Sequence, residues 1–548
     1  MPEQAFPLGP PFAGMTDDWD TSTPQVLLLD GLLPDSGGLL SAPPLVTMET
    51  GRPCQRGGYV TGWKEKAIFI TIGTDASNDI IYTATRGSTT VVSNLTEGFG
   101  EHPKRPQPYK FATLGGKVYF AGGQQVFEVD ANSLEPSQML CETGRESGVI
   151  PYIIGRIPAR DLVVHNDCMF FALAETVDFP TDFEVDASDP YVTAQANIQT
   201  NGMIRYTTGM YMFSDPYEPN HVKFYNGFTI DDDGCEVVAL ADWNSGLLVL
   251  TNKSAWFLGG DSVDTWVHSK LSGYAGCVAP ASVAVIGNQV WWADVYNIWC
   301  ADPSEGVKAV PGITKMLRDY IAWGESQYMS SGAPFLGGRY YAVSLYAPNS
   351  QSNVIVVECA TGATAFLDDG VDVLCGCDSE GVFDGGGMLA MTGSIVSAYF
   401  NDGTGGSRDC IAEWRVNLDR VNERTATRLV ASFNLTPASA EARAIGLMDL
   451  QRITSSGASA TYPLVDITTY STTMTPPIGE EGSRWDHFSW VATPAPAGSV
   501  TPRWAMKMPC IFDAPLEARG RDVCIDLHFT VRRATRLEEA TLVIGEVS

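Results

Sequence analysis

The sequence predicts an all-β chain: a β-propeller of six to eight blades, with an extended N-terminal arm and an additional C-terminal β-module. Three observations predict it. A unit of turn, apolar or aromatic triplet, second turn and second apolar strand recurs at semi-regular spacing. The 54 glycines and 33 prolines among 548 residues call for many turns. Amphipathic helical periodicity is confined to one short stretch.

Residues 1–55 are rich in Pro and Gly and poor in strand signals. They fit an extended arm laid along another surface, or equally a disordered tail. Within them "PQVLLLDGLL", Pro24 to Leu33, is apolar enough to dock.

Residues 56–408 carry the repeat. Its centres fall at Ile68, Tyr119, Phe170, Val249, Trp291, Tyr341 and Leu389, separated by 51, 51, 79, 42, 50 and 48 residues. The one long gap holds a further strand, "TGMYMFSDP", centred on Tyr211. A period of about 40–50 residues with several short strands in each is what a propeller blade requires. A strand packed between two neighbouring blades is apolar on both faces, so continuous runs such as Val290-Trp291-Trp292 replace simple alternation. The dipeptides "GG", "GN" and "NK" and the "NSG" turn supply the positive φ that tight hairpins need. A series of β-sandwiches would repeat in a similar way. The aromatic core is expected to consist of Tyr119, Phe170, Trp256, Trp291, Trp292 and Tyr341. Trp291 and Trp292 should face opposite sides of one strand, each filling a wedge between blades.

Two features interrupt the repeat. The acidic stretch "FEVDASDPYVTAQANIQTNG" reads as part of an inserted loop over about 173–209. "PGITKMLRDYIAWGES" places Ile313, Met316, Leu317, Tyr320 and Ile321 on one face, which predicts a helix over 313–324. Residues 409–548 lose the blade pattern and read as a separate β-module. Near its end Ile525, Leu527, Phe529 and Val531 alternate with Asp526, His528 and Thr530, the pattern of a strand with one buried and one polar face.

The search for chemistry assigns no catalytic, cofactor-binding or metal-binding residue. The six histidines (His102, His165, His221, His268, His487 and His528) are dispersed, without a metal-ligand spacing. No G-x-S-x-G, Walker A or dinucleotide fingerprint is present. The acidic runs Asp231-Asp232-Asp233 and Asp368-Asp369 with Asp372 could hold Ca²⁺, but neither follows the spaced calcium-loop pattern, and solvated turn acids are the commoner use of such runs. The net charge of −29 repels phosphate and argues against sequence-specific nucleic-acid binding. The first twenty residues lack the basic and apolar regions of a secretory signal. No uncharged apolar run approaches the roughly 18 residues of a spanning helix. The dispersed cysteines read as reduced thiols of a cytoplasmic protein.

Several segments resemble the tail nozzle, or tail-tube propeller, proteins of short-tailed (podovirus-type) bacteriophages. "NSGLLVLTNKSAWFLGG" is similar to their strand, Thr-Asn turn and aromatic strand ending in Gly-Gly. Gly276-Cys277-Val278-Ala279-Pro280-Ala281-Ser282-Val283 matches their lead-in, and Asn288 to Trp299 their following aromatic hairpin. Ile313 to Leu317 matches a helix that comes next. "MYMFSDPYEPNHVKF" resembles their aromatic-Ser-acid-Pro element, and "ARGRDVCIDLHFTVRRATRLEEATLVIG" their last hairpin. The resemblance covers about 160–320 and the last 35 or so residues; the acidic insertion departs from it.

The resemblance implies a non-enzymatic structural protein of the virion tail, assembled in the bacterial host cytoplasm. It implies a homo-oligomeric ring, usually a hexamer, below the portal and its adaptor. Double-stranded DNA would pass through the lumen, and tail fibre or tailspike proteins would dock on a platform made by the arm and the C-terminal module. Loops 173–209 and 401–409 are the candidate gates. Two other readings follow from the propeller alone. A propeller glycoside hydrolase acting on host polysaccharide would carry a carboxylate pair in an axial pocket. A kelch-like binding propeller, suggested by "LGGKVYFAGGQQVFEVD", would carry regular Gly-Gly pairs in every blade.

Overall fold

A computed structural model shows an all-β chain. It describes residues 4–8, 25–50, most of 60–95 and 109–180, 203–311, 330–345, 353–378, 387–417, 424–447, 466–472, 487–488, 506–507 and 510–546, short breaks within these stretches apart. Among the described residues the one helical element is the 3-10 turn Pro280–Ser282. None of their helices is long and apolar enough to cross a membrane. The helix expected over 313–324 lies outside the described residues.

The chain divides into two compact units. The larger takes residues 47–354 and 369–398. It is built from successive antiparallel sheets of four strands, each laid down in chain order as a meander. They cover 60–95, 110–138, 237–272 and 284–309 without interruption. The sheet over 159–229 is interrupted between its second and third strands by an insertion, which carries its own hairpin of Val177–Pro180 and Met203–Tyr206. A hairpin of Ser331–Phe335 and Tyr340–Leu345 follows. The last sheet uses Val373–Asp378, Gly387–Thr392 and Ile395–Phe400, and takes its fourth strand, Leu45–Thr50, from before the first sheet.

The first strands of these sheets are neighbours in space. Lys110–Leu114 packs on Ala159–His165, which packs on Val237–Trp243, then Ala284–Ile286, Ser331–Phe335 and Val373–Asp378 in turn. Val373–Asp378 then packs on Val60–Trp63, the first strand of the first sheet.

The hairpins form where the turn residues permit them. Asn166 and Asp167 (φ 47° and 61°), and Asn244 and Ser245 (φ 49° and 60°), occupy the left-handed region in two-residue turns. Asp294 closes the turn after Trp292 by accepting the backbone N–H groups of Tyr296 and Asn297, both at 2.6 Å, and the indole N–H of Trp299 at 2.7 Å.

The smaller unit takes residues 1–46, 355–368 and 399–548, and among the described residues it holds two large sheets besides the short pairing of His487–Phe488 with Met506–Lys507. One runs Leu32–Asp35, Gly38–Ser41, Arg536–Glu546, Arg424–Phe433, Cys510–Gly520, with Gln4–Pro7 also paired to Arg536–Glu546. The other runs Thr364–Leu367, Gln25–Asp30, Arg408–Asn417, Asp522–Val531, Ser439–Leu447, Asp466–Thr472. The described strands before residue 42 belong to the same sheets as the C-terminal segments. The physical reason is the edge problem, since apolar strands such as Gln25–Asp30 satisfy their backbone groups only by pairing. Buried Asp35 is ion-paired with Arg536. Along Asp522–Val531 the residues Val523, Ile525, Leu527, Phe529 and Val531 are buried, and the residues between them are half-buried. Phe433 of one sheet meets Phe529 of the other edge to face at 4.9 Å.

Replacing Phe433, which is fully buried, with Ala removes this link between the two sheets. It should destabilise the smaller unit by about 3–5 kcal/mol. Urea unfolding of the full chain should show one transition moved to lower denaturant; an unmoved midpoint would contradict the sandwich.

Candidate functional site

The sheets of the larger unit are joined through their second strands, whose side chains divide alternately between two wedges. In Cys168–Leu173, residues Met169, Phe171 and Leu173 enter a core shared with Tyr119 and Val126 of the preceding sheet. Cys168, Phe170 and Ala172 enter another, shared with Leu247, Val249 and Leu258 of the following sheet. In Gly246–Thr251 the division repeats: Leu247 and Val249 face back, while Leu248 and Leu250 face forward to Val290, Trp292 and Trp299. Period-two geometry makes this possible, and burial on both faces makes the strand apolar throughout.

Trp291 and Trp292 continue the pattern. Trp292 is fully buried in the wedge with Trp243 and Leu248, and its indole N–H donates to Gly276 O at 2.9 Å. Trp291, also buried, stacks on Tyr341 with ring centroids 5.8 Å apart and planes at 22°. Its N–H donates to Gln289 Oε1 at 3.2 Å. The Tyr341 hydroxyl in turn donates to Ser282 O at 2.7 Å. Gly276 has no room for a side chain, because a Cβ there would lie 2.6 Å from Asn252 O. Burial pushes the Tyr119 hydroxyl up to about 12, with Glu128 adding to the shift. Phe170 packs against Phe213 at 5.5 Å and Trp266 at 5.2 Å. Trp256 is half-buried, with Lys270 Nζ 5.1 Å from its ring centroid and its N–H on Ser254 Oγ.

Polar ties run between the first strands. Asp161 is fully buried and its two oxygens accept the N–H groups of Leu162 and of Leu240 on the next sheet, both at 2.8 Å. Arg160, also buried, pairs with Glu236 at 3.1 Å. Lys110 Nζ reaches Val283 O at 3.3 Å, joining the 110–138 sheet to the 284–309 sheet. Ser331 Oγ accepts the N–H of Leu374 at 2.7 Å. None of these residues carried a readable signal in the sequence, because each is a single polar residue whose partner lies in another sheet.

Among the described residues the histidines do not gather. His165 Nδ1 lies 2.7 Å from Asp242 Oδ1, His221 Nδ1 2.6 Å from Asp215 Oδ2, and His268 Nε2 2.6 Å from the Tyr211 hydroxyl. Burial lowers the pKa of His268. Among the described residues no group of three His, Cys, Asp or Glu side chains could hold a metal ion. Asp231, Asp232, Asp233 and His102, most of the candidate gate at 173–209 and part of that at 401–409 lie outside the described residues.

No family model and no curated protein matches the chain. Solved structures do, at low similarity. PorZ, a surface component of the type IX secretion system of Porphyromonas gingivalis, matches at 9% identity with a TM-score of 0.33, over 68% of this chain and 45% of PorZ. The N-terminal domain of Nup159 matches at 9% identity and a TM-score of 0.35, over 68% and 98%. A puromycin-hydrolysing peptidase of Mycobacterium tuberculosis matches at 10% identity and a TM-score of 0.30, over 68% and 60%.

Two outcomes follow from this packing. Trp292→Ala should cost about 3–5 kcal/mol, and Trp292→Phe less, the latter mainly through the unsatisfied Gly276 carbonyl; denaturant titration of both variants measures the order. Burial outweighs Lys110 and the two amide bonds at Asp161 and raises its carboxyl to about 6. The folded state then holds this proton more tightly than the unfolded state. The contribution of Asp161 to stability is therefore greatest below about pH 4 and falls as pH rises towards 6. The stability difference between the native protein and Asp161→Asn, measured at steps from pH 4 to 7, should shift against the native protein across that window.

Proposed function

We propose that the larger unit is a seven-bladed β-propeller and that the chain is a structural tail protein of a short-tailed phage, a nozzle that assembles into a ring. The seven first strands would be the inner strands of the blades, and Leu45–Thr50 would close the circle by completing the last blade. The observation that supports the reading is the packing of the first strand of the last sheet on that of the first, together with a second β-unit whose sheets combine N-terminal and C-terminal segments. The resemblance of Gly276 to Trp299 to the nozzle family supports it, and the fold accounts for those residues as packing rather than chemistry. The carboxylates between the first strands, Asp161 and Glu236, are engaged by backbone amides and Arg160, which suits a structural role.

On this reading the ring docks on an adaptor, carries tail fibre or tailspike proteins, and conducts DNA through a lumen between copies. The net charge of −29 leaves phosphates without counter-charges to bind, so DNA slides.

Negative-stain microscopy of the purified full chain should show sixfold rings with a central pore. Antibody labelling of virions should place the chain at the tail. A monomer under all conditions, absent from virions and able to depolymerise polysaccharide, would sink the proposal.

A further inference from the structure

Three successive hairpin tips of the larger unit frame a cleft of about 600 Å³. They are the turns at Asn166-Asp167, Asn244-Ser245 and Gly287-Asn288, with Asp261 from the loop after Ala255–Gly259 on the rim. The volume lies within the ~300–1,000 Å³ of small-molecule sites. We propose that this cleft binds a neutral saccharide.

The argument rests on which polar groups are already engaged. Asp242 is occupied by His165 Nδ1 at 2.7 Å, and Asn166 Nδ2 lies 3.0 Å from His165 Nε2. Asp167 accepts a hydrogen bond from the hydroxyl of Tyr217, which raises the Tyr217 pKa. Four lining residues are left whose side chains make no hydrogen bond among the described residues: Asn244, Ser245, Asp261 and Asn288. Together they offer two amides, a hydroxyl and one carboxylate, a mixture of donors and acceptors. A sugar, whose hydroxyls each donate and accept, satisfies such a set. A simple cation would leave the amide N–H groups unused. A phosphate or acidic sugar meets Asp167, Asp242 and Asp261 with no Lys or Arg in the lining.

An apolar surface completes the fit. Tyr217 is 67% exposed although it is held at Asp167 by its hydroxyl and by its backbone N–H, which donates to Asp167 O at 2.8 Å. Val285, on the cleft lining, is 45% exposed. Tyr217 is not itself on the lining, but an exposed aromatic residue held at its polar end beside Asp167, which is, suits the C–H side of a pyranose. The site lies within one chain and does not depend on ring assembly, so its test stands or falls apart from the function proposed above.

The experiment is saturation-transfer NMR and calorimetry on the full chain. The probes are maltotriose, cellotriose, mannotriose and tri-N-acetylchitotriose, with trigalacturonate, spermidine and CaCl₂ as contrasts. At least one neutral trisaccharide should bind, and the double variant Asp261→Ala/Asn288→Ala should weaken it tenfold or more at an unchanged melting temperature. Tyr217→Ala should weaken it separately. Binding by none of the neutral sugars overturns the proposal. So does sugar binding that both variants leave intact, or spermidine or calcium binding that the double variant abolishes while no sugar competes.

Discussion

Everything in the larger unit depends on the two-sided burial of its second strands. A four-stranded meander cannot bury both faces of such a strand by itself. Met169 and Phe170, Leu248 and Val249, and Trp291 and Trp292 are adjacent residues whose side chains enter different cores. Each strand is thus a shared wall, and removing one sheet would expose an apolar face on each neighbour. The aromatic content follows from that geometry. Large rings fill the space between neighbouring sheets, and those of Phe170, Phe213, Phe228 and Trp266 pack at 5.1–6.1 Å in one shared core.

Polar residues act where the apolar packing ends. Trp292 and Tyr341 each carry one polar atom, and both place it on a carbonyl of the Gly276–Ser282 lead-in. That segment contributes little side-chain volume, but its buried carbonyls anchor Trp292 and Tyr341. The small residues Gly276, Cys277, Ala279 and Ala281 allow the backbone to come close enough, as the 2.6 Å clearance at Gly276 illustrates. Asp161 plays a similar part between first strands, at an electrostatic cost that appears in its raised pKa.

Local signals made the sheets legible. Gly, Asn and Asp in two-residue turns, and apolar triplets such as Val290-Trp291-Trp292, are short-range patterns, and they mark the hairpins at Asn166, Asn244 and Gly287. Long-range pairing was not legible. Leu45–Thr50 lies some 350 residues from its partner Ile395–Phe400, and nothing in "LVTMET" distinguishes it from any edge strand. The same holds for Gln25–Asp30, which reads as a docking segment but lies between Thr364–Leu367 and Arg408–Asn417. The cleft escaped for a related reason. Each of its three tips reads as an ordinary turn, and only the stacking of sheets brings residues from 166 to 288 together.

The polar ties between first strands also constrain how a nozzle built from this chain would work. Lys110 spans from one first strand to a backbone carbonyl of the 284–309 sheet, and Arg160 and Asp161 are buried close by. A DNA duplex cannot pass through a space that one lysine side chain crosses. On the proposed reading a conduit would therefore lie between copies, walled by the outer surfaces of the sheets or by their loops. The acidic excess of 64 Asp and Glu over 35 Lys and Arg then matters on those outer surfaces. On that reading it would present DNA with a wall that repels phosphate.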